Sequence, residues 1–420
     1  MYKILVIVGA LLIAIPQVHA EPLELKHFLE KAATSNSSLK AAAREQAIAL
    51  EQEGVARSGH LPRIDAQGGY QAQLDPQAVE FNGLALPTQD ADFPFFSLSI
   101  YQTLYDFGRT RYRTESARLQ TDAVKGLYRA SEQDVFLQVV RAYYGILEGG
   151  KVVQAAKDEL DQMLSHQRVA KALYEEGVVT RNDLLQAEVR VAASRQKLLA
   201  AQNAVQNGWL LLNYLAGYPP DFRGELREGT ETAALPSPAA PVDFSGRGEL
   251  VALQDTVKAD ELTVKELKTG WYPEFFLKLS ADYVSNSAVT EQTIMAATAG
   301  FRVNLFDGFA TTSRLRAAVA ARSRDEDRVR DLKERLSLEL ATARNDMAVA
   351  QERIKVSETA IQQGVENLRI TKDRYQEKVG TATEVVDAQT LLTQTRTDYY
   401  RSVFDLEVAA ARVKRAMGQL

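Results

Sequence analysis

The sequence has no cysteine and very little histidine. Among its 420 residues there are no cysteines, 12 prolines and four histidines. Without cysteine there is no disulfide framework and no thiol for lipid attachment, so packing alone must hold the fold. The three histidines after residue 20 (His27, His60 and His166) have no metal-ligand spacing, and neither a phosphate-binding loop nor a nucleophile elbow occurs. We therefore expect no metal site, no cofactor and no enzymatic activity.

Proline is absent from two long tracts, one between Phe95 and Tyr218 and one from Glu274 to the C-terminus. Proline costs about 3 kcal/mol inside a helix, so both tracts permit very long helices. In the second tract, large apolar residues recur every seven positions, at Leu340, Met347, Ile354, Ile361, Leu368 and Tyr375. A seam of small residues accompanies them, at Ala343, Ala350, Ser357 and Gly364. A sustained period of seven predicts left-handed supercoiled helices.

Long apolar runs are also missing after residue 20, where nothing approaches the roughly 18 residues that a transmembrane helix needs. Residues 1–20 instead read as an export signal, with Lys3, an apolar core from Ile4 to Ile15 and a small cleavage-site residue at Ala20. We expect Glu21 to begin the mature chain. The formal net charge is −5, and it becomes one unit more negative without Lys3. This charge argues against nucleic acid as a partner.

The chain contains an internal repeat with a constant offset. The segment Tyr174–Ala187 returns as Tyr375–Ala388, which is 201 positions later (375 − 174). Asp106 and Gly217 recur at the same offset, as Asp307 and Gly418. A constant register over so long a stretch is improbable by chance, so we predict that each half forms one structural unit.

Four segments alternate apolar and polar residues, as strands with one apolar and one hydrated face do. They are Arg63–Leu74, Phe96–Leu104, Phe275–Tyr283 and Phe301–Leu305. Most approach the roughly 9–11 residues of a tilted strand that crosses a membrane. A soluble antiparallel sheet lying on a core is the alternative, but no further apolar segment is present to cover it. Four strands cannot close a membrane barrel, so a chain entering a membrane must oligomerise, and three copies would supply 12 strands.

These patterns predict a mixed α/β membrane protein that is mostly α-helical and is built from a duplicated unit of two strands and long coiled helices. We expect the first repeat at 21–218, a linker at 219–248 and the second repeat at 249–420. The first repeat has strands at about 63–75 and 94–105, a long helix at about 108–174 and a return helix at about 183–216. The second has strands at about 274–285 and 294–305, a long helix at about 308–375 and a return helix at about 384–417. A loop from Asp75 to Asp92 joins the first pair of strands.

This arrangement resembles the TolC family of outer-membrane channel-tunnels over essentially the whole mature chain. The most specific match is the motif at the helix reversal, Tyr-x-x-Gly followed by Asp-Val-Leu-x-Ala. It corresponds here to Tyr174, Gly177, Asp183 and Ala187, and in the second repeat to Tyr375, Glu384 and Ala388. Lys378 departs from the motif, because it stands where the family has glycine.

The resemblance implies a homotrimer in the outer membrane of a Gram-negative cell. Its 12 strands form one barrel in the lipid, and its helices continue the barrel as an α-helical tunnel through the periplasm. The tunnel docks an inner-membrane pump through a periplasmic adaptor (a membrane fusion protein), which contacts the helix reversals at Gly177, Val178, Val179, Val379, Gly380 and Thr381. The cargo is then either small toxic compounds or a type I secreted protein. The alternative is a soluble periplasmic coiled-coil adaptor or scaffold, although an adaptor would carry one helical hairpin and not two.

The resemblance also implies carboxylate rings that narrow the periplasmic entrance, at Glu384 and Asp387. Their spacing of three places both on one helical face, and rings of acidic side chains favour cations. Glu384 has another interpretation, because Thr381 and Glu384 fit a helix capping box, which does not require Asp387. Both roles can hold for Glu384. Arg181 and Asp183 are implied as a latch that holds the entrance shut, although an exposed ion pair is worth under about 1 kcal/mol.

Overall fold

The computed structural model describes residues 22–74, 78–88, 90–229, 243–287, 290–377 and 379–420. The expected export signal, the middle of the expected linker and Lys378 lie outside the described residues. The described chain forms two compact units. The first comprises residues 22–36, 135–229 and 346–411, and the second comprises residues 37–134, 243–345 and 412–420, without the gaps named above.

The helices are α1 (Leu25–Ser35), α2 (Ser37–Ser58), α3 (Arg109–Glu175), α4 (Arg181–Ala216), α5 (Gly248–Lys268), α6 (Ala310–Gln376) and α7 (Ala382–Ala416). The strands are β1 (Arg63–Ala72), β2 (Ala78–Phe81), β3 (Leu84–Pro87), β4 (Asp92–Tyr105), β5 (Glu274–Val284) and β6 (Thr293–Arg302). The helices α3 and α6 contain 67 residues each, as the proline-free tracts permit. Within the described residues no helix has both the length and the apolar character needed to cross a membrane.

Four strands form one antiparallel sheet in the order β1-β4-β5-β6. β1 ends at Ala72 and β6 at Arg302, which is short of the predicted ends at 75 and 305. The segment from Asp75 to Asp92, predicted as a loop, contains the hairpin β2–β3 instead. Its turn is Asn82-Gly83, and both residues have positive φ, 51° and 78°. Asn-Gly favours this tight turn strongly, so the dipeptide was a hairpin signal as well as a loop signal.

The alternation in the strands separates two faces of the sheet. One face is apolar and carries Leu98 and Ile100 on β4, paired in register with Ala281 and Leu279 on β5. The large side chains of Leu98 and Leu279 on this face are exposed, and Met295 on β6 retains 81% of its accessible surface. The alternative of a soluble sheet that lies on a core is therefore wrong, because a core would bury these residues.

The coiled-coil seams pack as the heptad pattern predicts. On α6, Ala343 of the small seam is buried, and on α3 a Cβ added to Gly149 would lie 2.7 Å from the side chain of Val205 on α4. On α6, a Cβ added to Gly364 would lie 3.2 Å from the side chain of Leu392 on α7. Small residues at these positions allow neighbouring helices to approach closely, so each long helix packs along its returning partner.

Each strand-to-helix corner is closed by an aspartate from the repeat. The Asp106 carboxylate accepts hydrogen bonds from the backbone N–H of Gly108 (3.1 Å) and Thr110 (2.8 Å) and from the Thr110 hydroxyl (2.5 Å). Asp307 accepts the equivalent bonds from Thr311, at 2.8 and 2.6 Å. Burial opposes ionisation of Asp106, but the hydrogen bonds from Thr110 and Gly108 outweigh it and hold the pKa of Asp106 below its ordinary value. Both aspartates therefore cap the long helices as anions.

We expect Asp106→Ala to destabilise the corner by about 1 kcal/mol, as the loss of a helix cap does. Because folding lowers the pKa, the stabilisation by Asp106 is fully present above pH 3.8 and is lost as the pH falls through the lowered value. Thermal unfolding of the purified protein between pH 3 and 8 measures this effect. Asp106→Asn keeps a capping oxygen without the charge, so it should stay close to wild type at neutral pH and lose part of the acid dependence. Equal stability of wild type and Asp106→Ala would contradict the role.

Candidate channel entrance at the helix turns

Two tight turns reverse the chain in the first unit, at 176–180 between α3 and α4 and at 377–381 between α6 and α7. Gly177 adopts a positive φ of 74°, and the N–H of Val178 donates to the Leu173 carbonyl at 2.8 Å. In the second turn, the N–H groups of Val379 and Gly380 both donate to the Arg374 carbonyl, at 2.9 and 3.1 Å. These bonds close the ends of α3 and α6 and fix the point at which each return helix starts.

A complete capping box starts α4. The N–H of Asp183 donates to the Thr180 hydroxyl at 3.3 Å, and the Asp183 carboxylate accepts from the Thr180 N–H at 2.9 Å and from its hydroxyl at 2.7 Å. These bonds from Thr180 lower the pKa of Asp183 below its ordinary value. The expected pair of Arg181 with Asp183 does not form in the described chain, because the carboxylate is committed to Thr180. A latch function for these two residues remains a prediction.

The start of α7 is capped only in part. The N–H of Glu384 donates to the Thr381 hydroxyl at 3.3 Å, but no bond from the Thr381 N–H returns to Glu384 among the described residues. The Glu384 carboxylate lies 3.8 Å from the Arg374 guanidinium instead. A Cβ added to Gly380 would lie 3.2 Å from the same carboxylate. The Glu384 side chain therefore lies beside Arg374, in space that the missing side chain of Gly380 leaves open. It does not complete a capping box at the start of α7.

Asp387 projects away from the packing of α7. Its two neighbours in the sequence, Val386 and Ala388, are buried against different helices. Val386 packs with Met163 of α3 and Val191 of α4, whereas Ala388 packs with Leu368 of α6. Asp387 itself is exposed and makes no hydrogen bond or ion pair within the part of the chain that the structure describes. No local structural bond accounts for an acid at this position.

A pocket of about 420 Å³ lies beneath the two turns and is lined by residues of both repeats. Its walls include His166 of α3, Asp183 and Arg190 of α4, and Tyr375 and Thr381 of the second repeat. Burial lowers the pKa of His166 below its ordinary value, and the positive charge of Arg190 lowers it further. Among the described residues no cluster of acidic, histidine or cysteine side chains could hold a metal ion.

Sequence reasoning missed Arg374, His166 and Arg190 as members of this region. The repeat itself contained a signal for Arg374, because the residue 201 positions earlier is Leu173. A charged residue that replaces an apolar one between equivalent positions marks a site where the repeats differ. Arg190 carried the same signal, because the residue 201 positions later is Leu391, whereas His166 carried none. Only the packing of α3 on α4 brings His166 and Arg190 to one pocket.

The duplicated strand pairs, the paired long helices and the acidic turns define the architecture of a channel-tunnel subunit. A family model described as Outer membrane efflux protein matches residues 28–218 and 245–419, so the chain belongs to this family. Outer membrane efflux protein BepC of Brucella suis biovar 1 is 24% identical over 403 residues, which are 93% of this chain and 84% of BepC. Fusaric acid resistance protein FusA of Burkholderia cepacia is 26% identical over 228 residues, 53% of this chain and 43% of FusA. The CmeC outer membrane channel of Campylobacter jejuni has the same fold, with a TM-score of 0.82 at 14% identity over 94% of this chain and 85% of CmeC.

The predicted fold class, location and general function are confirmed by this membership. The protein is an outer-membrane channel whose tunnel extends into the periplasm, and one chain supplies four strands of a trimeric, 12-stranded barrel. Members of the family work with a periplasmic adaptor and an inner-membrane pump. The alternative of a soluble coiled-coil adaptor or scaffold is wrong.

We expect His166 to titrate below pH 6.5, because its burial and Arg190 both disfavour the charged form. Any stabilisation that depends on neutral His166 is then fully present above pH 6.5 and is lost as the pH falls through the lowered pKa. NMR titration of histidine labelled at carbon ε1 measures this pKa. Arg190→Gln should raise it toward 6.5, whereas Arg190→Lys, which keeps the charge, should leave it lowered. An unchanged pKa in Arg190→Gln would show that burial acts alone.

Proposed function

We propose that the trimer is the exit duct of a pump that is reached through a periplasmic adaptor, and that it exports small toxic compounds without catalysing any reaction. The observation that carries this proposal is the exposure of apolar side chains at the two helix turns. Val178 and Val379 retain 65% and 71% of their accessible surface. The name of FusA, a fusaric acid resistance protein, supports a small organic cargo.

The turn residues form a contact surface of mixed character. Val178 and Val379 are separated by 201 positions, so the repeat places an exposed valine in both turns. Glu176 and Glu377 are exposed beside them. Apolar residues in the centre of a docking surface carry most of the binding energy, and a polar rim surrounds them. Gly177, Val178, Val179, Val379, Gly380 and Thr381 together are the proposed adaptor contact.

Val178→Asp combined with Val379→Asp should weaken docking by about tenfold or more, because charged side chains replace apolar ones at the centre of the contact. Susceptibility of host cells to a toxic aromatic acid measures the export that remains, alongside the amount of trimer in the outer membrane. The matched control is Glu176→Gln with Glu377→Gln, which alters the same turns without adding charge. Wild-type resistance in the valine double variant would reject this contact.

The acids of α7 are the proposed constriction. Arg374 lies 3.8 Å from Glu384 and compensates part of its charge, whereas Asp387 has no such partner among the described residues. Three copies would bring six carboxylates around one axis, and a ring of acidic side chains attracts cations and repels anions. Asp387 therefore contributes more to the negative potential of the proposed ring than Glu384 does. The position of the Glu384 carboxylate depends on the turn, because its partner Arg374 lies at the end of α6.

Glu384→Ala with Asp387→Ala should raise single-channel conductance and weaken cation selectivity. The carboxylates and their bulk are removed together, so the entrance becomes wider and less negative. Planar bilayer recordings in a KCl gradient give both quantities. Glu377→Gln serves as the control, because it removes a charge from the turn and not from α7. If conductance and reversal potential both match wild type, Glu384 and Asp387 do not line the pore.

A further inference from the structure

The polar face of the sheet carries an unusual group of aromatic and cationic residues at the end where the strands meet the helices. Strand register places Tyr101 of β4 beside Lys278 of β5, and Phe276 beside Gly300 of β6. The rings of Tyr101 and Phe276 are stacked, with centroids 5.4 Å apart. Since the opposite face is apolar and faces lipid, alternation along the strands directs this face into the lumen of the barrel.

Arg302 is held against both rings. Its guanidinium carbon lies 5.9 Å from the Tyr101 centroid and 5.7 Å from the Phe276 centroid, and it donates to the Tyr101 hydroxyl at 3.2 Å. A Cβ on Gly300 would lie 3.1 Å from the Phe276 ring, so glycine is what lets the ring lie over β6 beside the arginine. The contacts with the two rings therefore hold one face of the Arg302 guanidinium. Its remaining N–H donors stay available for a ligand.

The nearby carboxylates of Glu274, Asp65 and Asp282 each have a hydrogen-bond or ion-pair partner other than Arg302 and Lys278. Glu274 accepts hydrogen bonds from Tyr101 at 2.9 Å and Thr103 at 3.1 Å, and it pairs with Arg109 at 3.6 Å. Asp65 pairs with Arg63 at 2.9 Å, and Asp282 accepts a hydrogen bond from Ser97.

Arg302 and Lys278 are both exposed, and neither forms an ion pair with any residue that the structure describes. The strand ends thus present two positive side chains without an ion-pair partner among the described residues, beside a pair of aromatic rings.

We propose that Arg302, Lys278, Tyr101 and Phe276 form a binding site for planar aromatic anions in the lumen, at the periplasmic end of the barrel. A guanidinium binds a carboxylate or sulfonate through paired hydrogen bonds, and Lys278 adds a second charge-assisted donor. The aromatic body of such a ligand packs against the part-buried rings of Tyr101 and Phe276. This inference deepens the proposed export function, on which its biological meaning rests, and three copies of the chain would place three such sites around the lumen.

The test measures binding and not transport. The full trimer in lipid nanodiscs is titrated calorimetrically with 1-naphthalenesulfonate, with empty nanodiscs as the blank. Wild type should bind saturably, and Arg302→Gln with Lys278→Gln should bind about tenfold more weakly or worse, because both anion contacts are lost. Phe276→Leu should also weaken binding, since it removes a stacking ring. The cation 1-naphthylmethylammonium, which has the same ring system, should not bind.

The control variant is Arg63→Gln, which removes a cation from the same face, but one already paired with Asp65. It should bind like wild type, and trimer mass shows that each variant is assembled. Absence of saturable binding to wild type overturns the site, as does equal affinity in the Arg302 and Lys278 double variant. Because binding needs neither the adaptor nor an open entrance, failed docking or unchanged selectivity at the turns would reject the export proposal and leave this result standing.

Discussion

The constraint on which this structure depends is that backbone polar groups in lipid must be hydrogen-bonded. The sheet has four strands in the order β1-β4-β5-β6, so β1 and β6 each carry an unpaired edge within the described chain. An open edge cannot persist in the hydrocarbon region, where each unsatisfied group costs several kcal/mol. Closure by three copies satisfies both edges at once. The requirement that the chain oligomerises therefore follows from this one condition.

The duplication supplies two strands from each repeat to the sheet, and the two copies have since come to differ in sequence. Asp106 and Asp307 make the same capping bonds with the threonine four residues later, so the corner needed by both long helices is retained. At the turns the copies diverge. Thr180 and Asp183 form a reciprocal capping box, whereas the equivalent Thr381 and Glu384 share a single bond. The two repeats thus share the bonds that cap the long helices, and they differ in the bonds at the start of the return helices.

The sequence predicts most of the fold because its signals are long and periodic. The heptad seams, the proline-free tracts and the alternating strands each repeat a local preference many times. Short elements are harder to predict. The hairpin β2–β3 lies in a segment predicted as a loop, because four-residue strands give little alternation to detect. At the turns, Asp387 could be named from its motif position, but the partner of Glu384 could not. Only the folded turn shows that Arg374 and Gly380 hold Glu384, because that contact joins the end of α6 to the start of α7.

Leu173, Val179 and Gln186 of the first repeat correspond to Arg374, Gly380 and Asp387 of the second, and the first two differences lie beside the same carboxylate. Glycine where the first repeat has valine leaves room for the Glu384 carboxylate, and Arg374 lies 3.8 Å from that carboxylate. Asp387, where the first repeat has Gln186, adds a second acid one turn along the exposed face of α7. Together these differences leave Glu384 without the reciprocal capping bond that Asp183 makes with Thr180 at the start of α4.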